Sequence, residues 1–168
     1  MRTFFYIFLL LVSTNNLICQ KVQDPTFDKE LRSLLELNTA IVSIDEIIDN
    51  TASFVFLDAR EPNEYAVSHI PGALNIGYNR WDTSLIENID KDQPIIVYCS
   101  VGYRSEKITK RIEALGYSNV ANLYGSIFEW ANCNLPLEDS DGKTSHKIHT
   151  YNRKWSKWVT NPKINKQW

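Results

Sequence analysis

Phe54-Val55-Phe56-Leu57 and Ile95-Ile96-Val97-Tyr98 are apolar at every position. Successive residues of a strand point to opposite faces of a sheet, so an unbroken apolar run needs cover on both faces. Val120–Leu123 reads as a third strand, and residues 73–76 as a brief one after the Pro71-Gly72 turn. Helical patterns fall between them. Phe27, Leu31, Leu34 and Leu35 repeat at helical spacing and predict a helix over 27–37. Ser43-Ile44-Asp45-Glu46 is a capping box that opens a short helix through Ile48. Pro62 suits the first turn of a helix over 62–67. Residues 82–89 and 127–131 read as two further helices. Strands alternating with helices make an α/β domain, a mainly parallel sheet with helices on both faces. No internal repeat or low-complexity segment interrupts it.

The second apolar run ends on Cys99 and passes at once into Ser100-Val101-Gly102-Tyr103-Arg104-Ser105. A helical pattern follows, with Ile108, Ile112 and Leu115 on one face and Gly116 placed for a left-handed cap. A cysteine between a buried strand and a helix N-terminus sits where backbone N–H groups and the helix dipole stabilise negative charge. The thiolate is the nucleophilic form, and this position lowers its pKa. Arg104 adds a fixed positive charge. A buried cysteine with no chemical role is the plainer reading, but it does not require the glycine-and-arginine loop beside it.

The chain opens with Arg2, an apolar run over 4–12 and a polar stretch over 13–16. That pattern predicts a signal peptide over 1–19, cleaved before Gln20, and a run too short to span a bilayer. Lipidation of Cys19 is the alternative to cleavage. The expected setting is therefore exported, periplasmic or secreted. Cys99 and Cys133 are the cysteines that remain, too few for a disulfide framework. A pair between them stays open beside an incidental Cys133. The expected organisation is an N-terminal helical segment over 20–40, a catalytic domain over 41–138 and a tail over 139–168.

Charge is balanced overall but not along the chain. Residues 20–142 carry ten Lys/Arg against twenty Asp/Glu, whereas residues 143–168 carry seven Lys/Arg and no acid. Tyr151, Trp155, Trp158 and Trp168 lie among those basic residues. A basic aromatic segment suits nucleic acid or an anionic membrane. The simpler expectation is that it docks on the acidic body, its tryptophans covering apolar surface. No nucleic-acid partner and no stable membrane span are expected.

Four segments carry a wider resemblance. They are Leu57-Asp58-Ala59-Arg60-Glu61-Pro62-Asn63-Glu64-Tyr65, His69-Ile70-Pro71-Gly72-Ala73-Leu74-Asn75-Ile76, the Cys99 loop with the strand before it, and Leu123-Tyr124-Gly125-Ser126-Ile127-Phe128-Glu129-Trp130. In order and spacing they resemble a single-domain rhodanese over residues 40–138. The resemblance implies a three-layer sandwich around a five-stranded parallel sheet. It also implies a cysteine that forms a persulfide in a loop closing around the transferred sulfur. Cys99 matches that nucleophile, and Ser100, Val101, Gly102, Tyr103, Arg104 and Ser105 match the cradle. Ser126 and Asn134 stand where relatives commonly carry glycine.

Such an enzyme takes sulfur from thiosulfate or a persulfide and hands it to a thiol or cyanide-like acceptor, with no metal or organic cofactor. Arg104 is the candidate for binding an anionic donor, because a guanidinium engages two oxygens at once. Asp58 and Arg60 read chiefly as a strand-end pair. Arg60 is kept among the substrate-binding candidates because loops at the carboxyl ends of parallel strands form the crevice. His69 reads as structural, and His146 and His149 lack partners for a metal site. A cysteine phosphatase or arsenate reductase is the rival enzyme. Those look like Cys-(x)5-Arg, whereas Arg104 follows Cys99 after four residues and Ser105 fills the phosphatase position. A rhodanese-like binding or thiol redox-sensing module is the rival of another class. A monomer is expected.

Overall fold

The computed structural model describes residues 22–168. The expected signal peptide, its cleavage point and Cys19 lie outside the described residues. Five strands form one sheet: β1 (Ile41–Val42), β2 (Val55–Asp58), β3 (Leu74–Asn75), β4 (Ile95–Tyr98) and β5 (Val120–Leu123). Their order is β1-β5-β4-β2-β3 and every pairing is parallel. The two apolar runs are neighbours at the centre, with Leu57 opposite Val97, which is why both need cover above and below.

Alternation along these strands divides the interior into two layers. Phe56, Ile96 and Tyr98 face a core shared with α1 (Pro25–Leu34), α2 (Ile44–Ile47) and α5 (Ser126–Asn132). Leu57, Ile95, Val97 and Cys99 face the other, closed by Ile108 and Ile112 of α4 (Tyr103–Ala114). The remaining helix, α3 (Pro62–Val67), follows β2 directly. The site therefore lies at the carboxyl edge of the sheet, where β2 and β4 hand over to α3 and α4.

Two expected helices differ in extent. Helix α1 begins at Pro25 because Asp24 caps it, its carboxylate accepting from the Thr26 and Phe27 N–H groups. It stops at Leu34, since the Glu106 carboxylate draws the Glu36 and Leu37 N–H groups out of helical geometry at 3.1 and 2.7 Å. Residues 82–89 hold only a 3₁₀ turn, Thr83–Ile86. Asp82 there bonds the Ser84 N–H and hydroxyl instead of leaving them to a longer helix.

The C-terminal segment is built into the same body. Strands β6 (Lys147–His149) and β7 (Asn165–Gln167) pair in parallel, with a 3₁₀ turn at Trp155–Trp158 between them. Ile148 and Val159 are fully buried, and Trp158 stacks on Phe27 of α1 at 5.1 Å. The Asn132 side chain donates to the Trp158 carbonyl at 2.9 Å and accepts from the Thr160 N–H at 2.8 Å. Among the described residues, no lysine or arginine after Lys143 forms an ion pair; His149 approaches Glu64 at 3.9 Å. The attachment is thus apolar burial and amide hydrogen bonding rather than charge neutralisation.

Candidate active site

Cys99 is the first residue past β4, buried and facing the α4 layer. The loop after it is pinned from behind. The Ile127 and Phe128 N–H groups, in the first turn of α5, donate to the Cys99 and Ser100 carbonyls, each at 3.2 Å. The Cys99 N–H donates to the Ser126 hydroxyl at 3.1 Å, and that hydroxyl donates to the Leu123 carbonyl at 3.0 Å. With its carbonyls held away, the loop turns its N–H groups towards sulfur, and the Gly102 N–H reaches Sγ at 3.2 Å. Gly102 has φ +119°, a backbone region that favours glycine, which lets α4 start immediately under the thiol.

Burial pushes the Cys99 thiol up, but the charge of Arg104, the hydroxyl and N–H of Ser105 and the Gly102 N–H pull it down harder. The net result is a pKa below the ordinary cysteine value. Ser105 has a single hydroxyl proton. Asn122 donates its amide to the Gly102 carbonyl at 3.0 Å and so presents Oδ1 to Ser105 at 2.7 Å. That hydroxyl donates its proton to Asn122 Oδ1.

Arg104 is committed to a partner. Its Nη1 and Nη2 engage Glu64 of α3 at 2.5 and 2.8 Å, and Nη2 also donates to the Ser100 hydroxyl at 3.0 Å. The Tyr151 ring lies 5.3 Å from the guanidinium carbon. Burial opposes ionisation of Glu64, yet the hydrogen bond and charge of Arg104 hold its carboxyl below the usual range. A fork paired this way stabilises the thiolate at a distance but does not offer both arms to an incoming oxyanion.

Arg60 is not brought to this site, which corrects its place among the substrate-binding candidates. It is fully buried against Asp58, with Nη2 at 2.6 Å from Oδ2 and 2.6 Å from the Ser68 carbonyl. The fork closes the turn after β2 instead of lining the crevice. His69 stacks on Tyr65 at 3.7 Å and meets Glu138 at 3.2 Å, away from the thiol. Cys99 and Cys133 are both free.

Cys99, Ser100, Val101, Tyr103 and Arg104 line one cavity of about 390 Å³. Gly102 and Ser105 sit behind it, against sulfur and Asn122. Tyr151 and Trp155 complete its wall from the C-terminal segment. Sequence reasoning passed over Glu64, which reads locally as the N3 residue of a helix start and does accept from the Glu61 N–H at 3.1 Å. The wall role of Tyr151 and Trp155 was equally hidden. The one signal was an aromatic pair at i, i+4 within a polar stretch.

A buried cysteine in a strand-to-helix loop, its thiol held below the ordinary pKa, marks the candidate site at the carboxyl edge of this parallel α/β sheet. The rhodanese-like domain family matches residues 27–133, and this chain belongs to that family. It is 32% identical over 100 residues to a sulfurtransferase of Allochromatium vinosum, covering 60% of this chain and 92% of that protein. Among solved structures, a protein of Bacillus halodurans shares the fold with TM-score 0.56 and 22% identity, over 67% of this chain and 86% of that one. Thiosulfate sulfurtransferase of Pseudomonas aeruginosa superposes with TM-score 0.54 and 25% identity over 72% of this chain. The match spans only 23% of that enzyme.

Proposed function

We propose that this protein is a sulfurtransferase that carries sulfane sulfur as a persulfide on Cys99. The observation that carries the reading is the Cys99 sulfur itself, buried beneath the Gly102 N–H at 3.2 Å and opening onto a cavity. The thiolate attacks the outer sulfur of a donor. A new S–S bond forms on Cys99 while the donor S–S bond breaks, its electron pair leaving with sulfite or with an organic thiolate. Sulfur stays at the same total oxidation level, so no external oxidant or reductant takes part. The Cys99 persulfide is then attacked at its outer sulfur by a thiol or cyanide, which returns the Cys99 thiolate. Gly102 and Ser105 stabilise sulfur anion at both stages, and water is kept from the thiol by its burial.

Mass spectrometry of the Cys99 peptide tests this. After treatment with thiosulfate, and separately with an organic persulfide, a gain of one sulfur is expected with either donor and is lost in Cys99→Ser. An aryl phosphate is offered in parallel. Phosphate release without any sulfur gain would sink the sulfurtransferase reading in favour of a phosphatase. An unmodified Cys99 with no turnover of either kind would leave a binding module.

A further inference from the structure

Residues 145–168 lie beyond the stretch that matches the family, yet Tyr151 and Trp155 form part of the wall of the Cys99 cavity. They are not a loose arm laid across it. On one side β6 buries Ile148, and on the other Val159 is buried and Trp158 stacks on Phe27. Tyr151 is held in detail. Its N–H donates to His149 Nδ1 at 3.1 Å, its ring meets the Arg104 guanidinium at 5.3 Å, and its φ is +65°. A left-handed backbone is strained for a residue with a bulky side chain, and such strain persists only where the surroundings impose it.

Charge and shape at the cavity point the same way. Arg104 is neutralised by Glu64, and Glu61, a second carboxylate, also lines the space. A dianion such as thiosulfate would meet the Glu61 carboxylate and a guanidinium whose charge is already balanced by Glu64. Of the other lining residues, Asn79 and Ser100 are polar, whereas Leu34, Tyr78, Val101 and Tyr103 are apolar or aromatic like Tyr151 and Trp155. About 390 Å³ falls in the range of pockets for small organic ligands, far more than a five-atom anion fills. We propose that Tyr151 and Trp155 are specificity-determining residues, and that the sulfur donor they select is an organic persulfide, R–S–SH, with an uncharged apolar or aromatic R group.

This inference rests on Cys99 being the sulfur carrier. In the transfer, the Cys99 thiolate attacks the outer sulfur of R–S–SH, and the R–S bond partner leaves as R–S⁻ with the electron pair of the broken S–S bond. The proton stays on the transferred sulfur as Cys99–S–SH. The apolar R group sits against the aromatic wall, and the leaving thiolate departs past Arg104.

The test compares two donors with the same S–S chemistry, benzyl persulfide and glutathione persulfide, on the full chain. Sulfur gain on the Cys99 peptide is followed over time. The wild type is expected to favour the benzyl donor in kcat/KM. Tyr151→Ala and Trp155→Ala are each expected to cut that preference about tenfold, through KM, as loss of one apolar contact face implies. Tyr151 is 55% exposed, so its variant folds even if Trp155→Ala disturbs the segment. A preference that is absent in the wild type, or unchanged in Tyr151→Ala, would overturn the inference while leaving Cys99 as carrier. No sulfur gain from either persulfide or from thiosulfate would instead remove the reading beneath it.

Discussion

At the scale of single residues, Cys99 and Cys133 are opposites. Burial and the nearby charge of Glu129 push the Cys133 thiol up to about 11, whereas Cys99 is held below its ordinary value. Cys133 is nevertheless the more exposed of the two. Iodoacetamide at neutral pH is therefore expected to label Cys99 first, by about tenfold or more, since the thiolate is the reactive form. Peptide mapping after short exposure reads this, and faster labelling of Cys133 would show that access outweighs ionisation. Glu64 supplies a second test. Its carboxyl is depressed in the folded state, so its stabilising contribution is complete above the unfolded value of about 4.3 and is lost as pH falls through the folded one. Glu64→Gln is expected to cost about 1–3 kcal/mol at neutral pH because the Arg104 fork loses its charged partner. Denaturant midpoints of variant and wild type should converge as acid protonates Glu64; a constant gap would mean that the carboxylate charge contributes nothing.

At the scale of elements, the junction between β4 and α5 holds the Cys99 loop in place. Ser126 has φ +52°, a backbone region that favours glycine. The hydroxyl repays that strain by bridging the Cys99 N–H and the Leu123 carbonyl. Ser126→Ala keeps the strain and leaves two buried groups unpaired, an expected loss of about 2–3 kcal/mol. Ser126→Gly relieves the backbone and should lose less. Urea unfolding of the two variants distinguishes them, and equal losses would place the whole cost in the hydroxyl. Asn134, just past α5, has a similar backbone at φ +56°, and asparagine tolerates that region without help. The unbroken apolar runs and the capping box at Ser43 were readable as elements because burial on both faces and local hydrogen bonding leave a periodic trace. The early end of α1 was not, because the Glu106 carboxylate that causes it lies in α4.

For the whole molecule, the C-terminal segment joins the core and the cavity in one piece. Trp158 is 9% exposed and covers Phe27, itself fully buried. Trp158→Ala is expected to cost about 3–5 kcal/mol by opening a cavity over α1. Thermal or chemical unfolding measures this, and a loss under about 1 kcal/mol would mean that the segment rests on the domain without sharing its core. Among the described residues no helix is long and apolar enough to cross a membrane.

From the chain alone came the parallel α/β sheet and the placing of Cys99 at its edge. Both depend on periodicity and on neighbours within a few residues. Folding in three dimensions decided who partners whom. Glu64 meets Arg104 across 40 positions of sequence, Arg60 turns inward to Asp58, and Tyr151 and Trp155 reach the cavity wall from the C-terminal segment. Charge pairing and pocket shape depend on which segments meet in space, and no local pattern records that meeting.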